Sequence, residues 1–196
     1  MGEPASGYVA TGEINCAPAV VTIAGRSSVI KDVGGLVIPP EELDITGATA
    51  DVTKLIDVRG YLPEGVSLSN TGGEEFNGKI AVTVKIEPLV DITRTVDSSR
   101  IQVLNVPEGY SVTLTPDSSV TMKLRGLQGN LDQVNTDTLT CTVDVAEWMS
   151  DNGLSELSEG SAEAEVDVSL PSGVILTAPV RAALTIEKVA EVTPEE

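Results

Sequence analysis

Two aspartates, Asp44 and Asp144, are the residues whose type and position could most readily support chemistry. Each precedes an aliphatic residue, Ile45 or Val145, at the same place in an internal repeat. Carboxylate oxygens in loops are ligands for Ca²⁺, so equivalent aspartates could form one calcium site per repeat. Alternatively, each carboxylate accepts a hydrogen bond locally and caps or ends a strand. No Asp-x-Asp-x-Asp-Gly loop accompanies either residue, so the capping role is favoured and no metal ligand is assigned.

Catalytic and cofactor-binding motifs are missing from the sequence. There is no histidine, which removes the commonest general base, the Ser-His triads and most zinc sites. The sequence has no Cys-x-x-Cys, no Gly-x-x-x-x-Gly-Lys and no Gly-x-Ser-x-Gly. Gly34-Gly35 and Gly72-Gly73 lack the strand-to-helix context of a nucleotide-binding loop. We therefore predict no catalytic residue, no cofactor-binding residue and no metal ligand.

An acidic glycosidase is the remaining enzymatic alternative, since two carboxylates can cleave a glycosidic bond. With 30 acidic residues, however, some carboxylates will lie near one another by chance. Aromatic residues, which line grooves for stacking sugars, make up only 3% of the chain. We predict that the protein is not an enzyme.

Trp148 and the two cysteines each allow two interpretations. Trp148, the single tryptophan, could be an exposed hot spot for a partner, but packing in the core or at a sheet edge is favoured because it directly follows the predicted strand at Asp144. Cys16 and Cys141 occupy different places in the repeat, so a disulfide would join positions that the repeat does not relate. Two small buried hydrophobic residues are the favoured interpretation.

The chain contains one sequence pattern twice, at an offset of about 101 residues. Each copy has a Gly-Tyr pair, a proline, an alternating run that ends in glycine, two spaced aliphatic residues, an Asp-aliphatic pair, a Leu-Pro-x-Gly-Val turn and a strand that ends in Ile-Glu. The paired landmarks are Gly7 and Gly109, Pro18 and Pro116, Gly25 and Gly126, Ile30 and Leu131, Val33 and Val134, Asp44 and Asp144, Leu62 and Leu170, and Ile86 and Ile186. Such order predicts a tandem module, and repeated modules usually present surfaces or span distance.

Composition excludes several classes of partner. The 12 basic and 30 acidic residues give a net charge of −18, which repels phosphate backbones and anionic lipid headgroups, so no nucleic-acid binding is expected. No stretch approaches the roughly 20 apolar residues that cross a bilayer. We expect no membrane insertion by these residues, and expect any anchor to lie upstream.

The elements that must position these residues are strands. Apolar and polar residues alternate at 80–86, 101–104, 119–124 and 164–170, as in antiparallel sheets with one wet face. The fold class predicted is all-β: two tandem, twisted, mostly antiparallel modules with at most one short helical turn each, after Gly25 and Gly126. Well above half of the ordered residues are expected in strands.

Two modules are expected, at residues 1–88 and 89–196, the second ending in an acidic tail. The segment 89–108 occurs only once and contains two strand-like runs, 90–95 and 101–106. Its counterpart in the first module would fall before residue 1. It is either a linker or the leading strand of the module, which the first module would then lack, and the leading strand is the favoured interpretation.

The ordered set of motifs from Gly7 to Glu187 resembles the YbbR domain. That resemblance implies repeats in the extracytoplasmic part of bacterial proteins with an N-terminal membrane anchor. The best-known members resemble a regulator that associates with a membrane-bound diadenylate cyclase and influences cyclic di-AMP synthesis. The family is not known as an enzyme, so no catalytic residues transfer.

The predicted function is therefore that of a non-enzymatic, extracytoplasmic repeat region of a membrane-anchored regulator. It would modulate a membrane diadenylate cyclase through protein contacts, without a cofactor. The alternative is a bacterial cell-surface or cell-wall adhesion or spacer module unrelated to nucleotide signalling.

Overall fold

The structure is a computed structural model that describes residues 2–69, 76–116 and 118–189. The chain divides into two compact units, Met1–Leu89 and Val90–Glu196, a boundary one residue from the one expected between residues 88 and 89. Strands hold 44% of the described residues and helices 14%, which confirms the all-β class. The expected strand content of well above half is wrong, because long loops such as residues 31–39 and 132–140 separate the strands. Gly72-Gly73 and most of the acidic tail lie outside the described residues.

Unit 1 is built around its last strand. Its strands are β1 (Tyr8–Ala17), β2 (Ile23–Gly25), β3 (Val52–Asp57), β4 (Val66–Leu68) and β5 (Lys79–Pro88). An antiparallel sheet has the order β1-β5-β3, and β2 pairs with β4. Alternation along β5 directs one face inward, so its side chains alternate between buried and half-buried. The core of this unit consists of Leu43, Ile45, Ile56, Val58, Ile80, Val82, Val84 and Ile86.

Unit 2 contains three three-stranded sheets. Its strands are β6 (Val90–Asp97), β7 (Ile101–Leu104), β8 (Tyr110–Leu114), β9 (Ser119–Gly126), β10 (Cys141–Asp144), β11 (Gly160–Glu165), β12 (Asp167–Val168), β13 (Val174–Leu176) and β14 (Arg181–Lys188). The sheet orders are β11-β14-β8, β13-β9-β6 and β12-β10-β7. Among the described strands of this unit, β7 and β10 form a parallel pair and the other pairs are antiparallel. The mostly antiparallel arrangement agrees with the prediction.

The two units share one pairing plan. In each, the last strand is central and pairs with the strand that opens on Tyr8 or Tyr110. In each, the glycine that ends an alternating run pairs with the valine after the Pro-x-Gly turn, Gly25 with Val66 and Gly126 with Val174. The landmarks of the sequence repeat are therefore positions where strands meet.

Helical segments are more numerous than expected. Besides α1 (Ser27–Ile30) and α2 (Gln128–Leu131), which follow the module glycines as predicted, the chain forms α3 (Val145–Asp151). Three short 3₁₀ segments occur at Pro40–Glu42, Val58–Tyr61 and Ser98–Arg100. The limit of one helical turn per module is wrong because carboxylates at strand ends, in Asp57 and Asp144, accept backbone N–H groups and begin new turns. No helix among the described residues is long and apolar enough to span a membrane.

Candidate functional site

The most strongly charged cavity described in unit 2 lies beside α3 and has a volume of about 390 Å³. It is lined by residues of α3, by the residue on either side of α3 and by residues of the strands β11, β12 and β14. They are Asp144, Glu147, Trp148, Asp151, Asn152, Glu163, Glu165, Asp167 and Arg181. We call this the Trp148 pocket.

Strand alternation places the carboxylates on the wall of the Trp148 pocket. Along β11, Ala164 is buried while Glu163 and Glu165 are exposed, because successive side chains point to opposite faces. Arg181, the first residue of β14, is the register partner of Glu165. This wall of the pocket is thus the solvent-exposed face of a sheet whose other face packs in the core.

Asp144 sits where β10 ends and α3 begins. Its Oδ1 accepts the backbone N–H of Glu147 at 3.1 Å, and its Oδ2 accepts Nδ2–H of Asn105 at 2.5 Å. These bonds stabilise the ionised carboxylate, so the backbone bond first and the amide second lower the pKa of Asp144. The carboxylate is engaged in capping, as the sequence favours.

Asp44, the other predicted aspartate, makes equally local bonds in unit 1. Its Oδ1 accepts the hydroxyl of Thr46 at 2.5 Å and the backbone N–H of Thr46 at 3.0 Å. The hydroxyl bond and then the backbone bond lower the pKa of Asp44. Among the described residues, no group of three or more Cys, Asp or Glu is arranged to hold a metal ion.

Trp148 combines the two interpretations that the sequence allows. Its indole Nε1–H donates to the carbonyl oxygen of Glu163 at 2.9 Å, which ties α3 to β11. The side chain is half-buried and packs against the core of unit 2, yet it also lines the pocket. A tryptophan whose polar end is bonded and whose ring is partly exposed suits a contact surface.

Cys16 corrects the expectation that both cysteines are buried. Cys141 is 1% exposed in the core of unit 2, whereas Cys16 is exposed near the end of β1. The second half of β1 is exposed throughout, so a cysteine there has nothing to cover it. Both cysteines are free thiols.

The chemistry that the Trp148 pocket allows is recognition of a cation. Six carboxylates face one guanidinium around an aromatic ring, and a Lys or Arg side chain there would gain charge pairing and contact with the indole. Sequence reasoning found Asp144 and Trp148 but missed Glu147, Glu163, Glu165 and Asp167. The exposed phase of the 164–170 alternation could have located Glu165 and Asp167, and Glu163 precedes that run in the same phase, but only the sheet pairing brings these residues beside α3.

Comparisons with known proteins show a family similarity in the first part of the chain. The family model described as YbbR-like protein matches residues 1–86. A search of solved structures finds a YbbR-like domain from Listeria monocytogenes at 14% sequence identity, covering 53% of this chain and 99% of that chain with a TM-score of 0.34. No curated protein matches. Residues 1–86, which form most of unit 1, are therefore similar to the YbbR-like protein family.

Proposed function

We propose that this chain is the extracytoplasmic repeat region of a membrane-anchored regulatory protein and acts through protein contacts rather than catalysis. The observation that carries the proposal is the YbbR-like match over residues 1–86. It is supported by the second unit, which repeats the pairing plan of the first around Gly126 and Val174. Repetition of a module multiplies contact surface rather than active sites.

The proposed partner is a membrane-bound diadenylate cyclase, and the proposed effect is a change in its cyclic di-AMP synthesis. An anchor upstream of these residues would hold both units at the outer face of the cell membrane. The net charge of −18 supports a protein partner over nucleic acid or anionic lipid.

The Trp148 pocket is the described surface best suited to a basic segment of that partner. Its carboxylates steer a positive segment toward the site, and its half-buried aromatic ring provides an anchor. The affinity of this contact would fall steeply as the ionic strength rises, because exposed charges are screened over roughly 10 Å at 0.1 M salt.

The regulatory proposal is tested in cells that carry the anchored full-length protein. Deleting both units should change the cyclic di-AMP level and weaken co-purification with the cyclase, whereas the untethered fragment should act weakly because it loses the effective concentration that anchoring gives. Unchanged nucleotide level and unchanged cyclase association would contradict the proposal and favour a cell-surface spacer or adhesion module.

The contact surface is tested separately by charge reversal. Glu163→Lys with Glu165→Lys places two cations in the Trp148 pocket without touching the core. The matched control is Glu108→Lys with Glu187→Lys, which makes the same charge change at exposed positions outside the pocket. Only the first pair should weaken cyclase association. Equal effects of the two pairs would mean that overall charge, not this pocket, governs the contact.

A further inference from the structure

Unit 1 has an apolar groove where unit 2 has a filled core. The groove has a volume of about 440 Å³, and its apolar lining includes Val20, Val21, Ile23, Val33, Leu36 and Ile38. Val20 is 83% exposed, an unusual environment for a valine beside a cluster of other aliphatic side chains.

Comparison of matching positions in the repeat shows which residues of unit 1 are more exposed than their counterparts in unit 2. Met122, Leu124, Leu131 and Val134 are at most 7% exposed in unit 2. Their counterparts at the offset of the repeat are only half-buried in unit 1, namely Val21, Ile23, Ile30 and Val33. The same positions of the module are therefore core in one unit and surface in the other.

The covering layer in unit 2 is the segment Val90–Leu104. Strand β6 pairs with β9 along its whole length, from Val90 opposite Gly126 to Asp97 opposite Ser119. After a 3₁₀ turn, β7 pairs in parallel with β10. Val96, which is 3% exposed, and Ile101, which is 6% exposed, are the residues of this segment that pack in the core.

Unit 1 lacks both pairings among its described residues. There β2 is three residues long and forms a two-stranded sheet with β4, while the counterpart of β9 would extend over residues 18–25. Residues 18–22 form no strand. A strand without a partner on one side leaves N–H and C=O groups that can accept another strand.

We propose that the groove of unit 1 binds a strand–turn–strand segment with the pattern of Val90–Leu104. Its first strand would pair antiparallel with residues 18–25. Its inward aliphatic residues, equivalent to Val96 and Ile101, would cover Val21, Ile23 and Val33. The occupant is therefore a polypeptide segment that resembles the leading segment of unit 2, and not a small apolar ligand.

The test adds a synthetic peptide of residues 90–106 to the full chain and follows amide exchange. Exchange at residues 19–25 should slow at least about tenfold, with no change within unit 2. A peptide carrying Val96→Glu and Ile101→Glu is the matched control and should give no protection. Protection by neither peptide, or equal protection by both, would overturn the proposal.

A fused version removes the entropic cost of binding in trans. Residues 89–106 joined ahead of Gly2 through a flexible linker should raise the thermal midpoint of unit 1, compared with the same fusion carrying the two Glu substitutions. Equal midpoints for the two fusions would contradict the proposal. So would a concentration-dependent dimer of the unfused chain whose interface protects residues 19–25, since the groove would then take a second copy.

Discussion

The carbonyl oxygen of Gly173 lies against Gly126, so that a Cβ built on Gly126 would be 2.7 Å from it. The same contact recurs in unit 1, where a Cβ on Gly25 would lie 2.8 Å from the carbonyl oxygen of Gly65. The module glycine and the Pro-x-Gly turn, which look like separate landmarks in the sequence, are the two sides of one backbone contact. Any side chain at the module glycine would push the turn away.

Gly126→Ala should therefore destabilise unit 2 by about 1–3 kcal/mol, as overpacking against backbone does. Gly129→Ala is the matched control, because a Cβ there meets no atom within 4 Å and alanine favours the helix. Denaturant unfolding measures both variants. Equal stability of the two would mean that the turn shifts without cost and that the contact does not explain the glycine.

The turn glycines should be sensitive for a different reason. Gly65 and Gly173 both have a φ of 79°, which lies in the left-handed region that glycine adopts readily in tight turns. Gly65→Val and Gly173→Val should each destabilise its own unit by about 1 kcal/mol or more, since branched side chains rarely adopt this conformation. The larger loss is expected at Gly173, where a Cβ would also meet the Asn130 amide. Thermal unfolding of both variants shows whether the loss of stability is larger at Gly173 than at Gly65. Gly34→Val, at a position with ordinary φ, is the control.

Removing the Asp144 carboxylate should loosen the start of α3. Asp144→Ala loses the bond to the Glu147 backbone N–H and should lower the thermal midpoint of unit 2, whereas Asp144→Asn keeps a capping oxygen and should lose less. Trp148 fluorescence reports on the same helix. If alanine and asparagine have the same effect, the carboxylate contributes through something other than capping.

Asp57 should titrate far into the acid range. The Arg59 guanidinium donates to both carboxylate oxygens, at 2.8 and 2.5 Å, and lowers the pKa of Asp57 from its ordinary 3.8 to about 2. Because the folded pKa lies below the unfolded one, this pair contributes stability above pH 3.8 that is lost as the pH falls through about 2. The pKa of Asp57, measured by NMR titration of its carboxyl carbon, should be higher in Arg59→Ala than in the unmodified chain. The pKa of Asp91, which pairs with Arg125, should stay unchanged and serves as the internal control.

The two thiols should differ in reactivity. Cys16 is exposed, whereas Cys141 is 1% exposed and burial raises the pKa of its thiol. A water-soluble disulfide reagent should label Cys141 at least about a hundredfold more slowly than Cys16, because labelling Cys141 requires local opening. Comparison of Cys16→Ser with Cys141→Ser assigns the two phases. Rapid labelling of Cys16→Ser would show that the core around Cys141 opens readily.

Sequence alone determined the strand-rich class and the glycines of the turns. Alternation with period two is a local property, and the φ demanded at Gly65 and Gly173 follows from the turn itself. The repeat also located the short helices after Gly25 and Gly126. Each of these features depends on residues within one element or one turn.

Tertiary structure decided what depends on elements far apart in the chain. The contact of Gly126 with Gly173 depends on the pairing of β9 with β13, and the Trp148 pocket on the placement of β11 beside α3. The groove of unit 1 shows the same limit: Val21 and Met122 occupy matching places in the repeat, yet only Met122 is fully buried. Burial depends on the elements that surround a residue, and among the described residues only unit 2 has a strand, β6, paired with β9 and followed by a segment that enters the core.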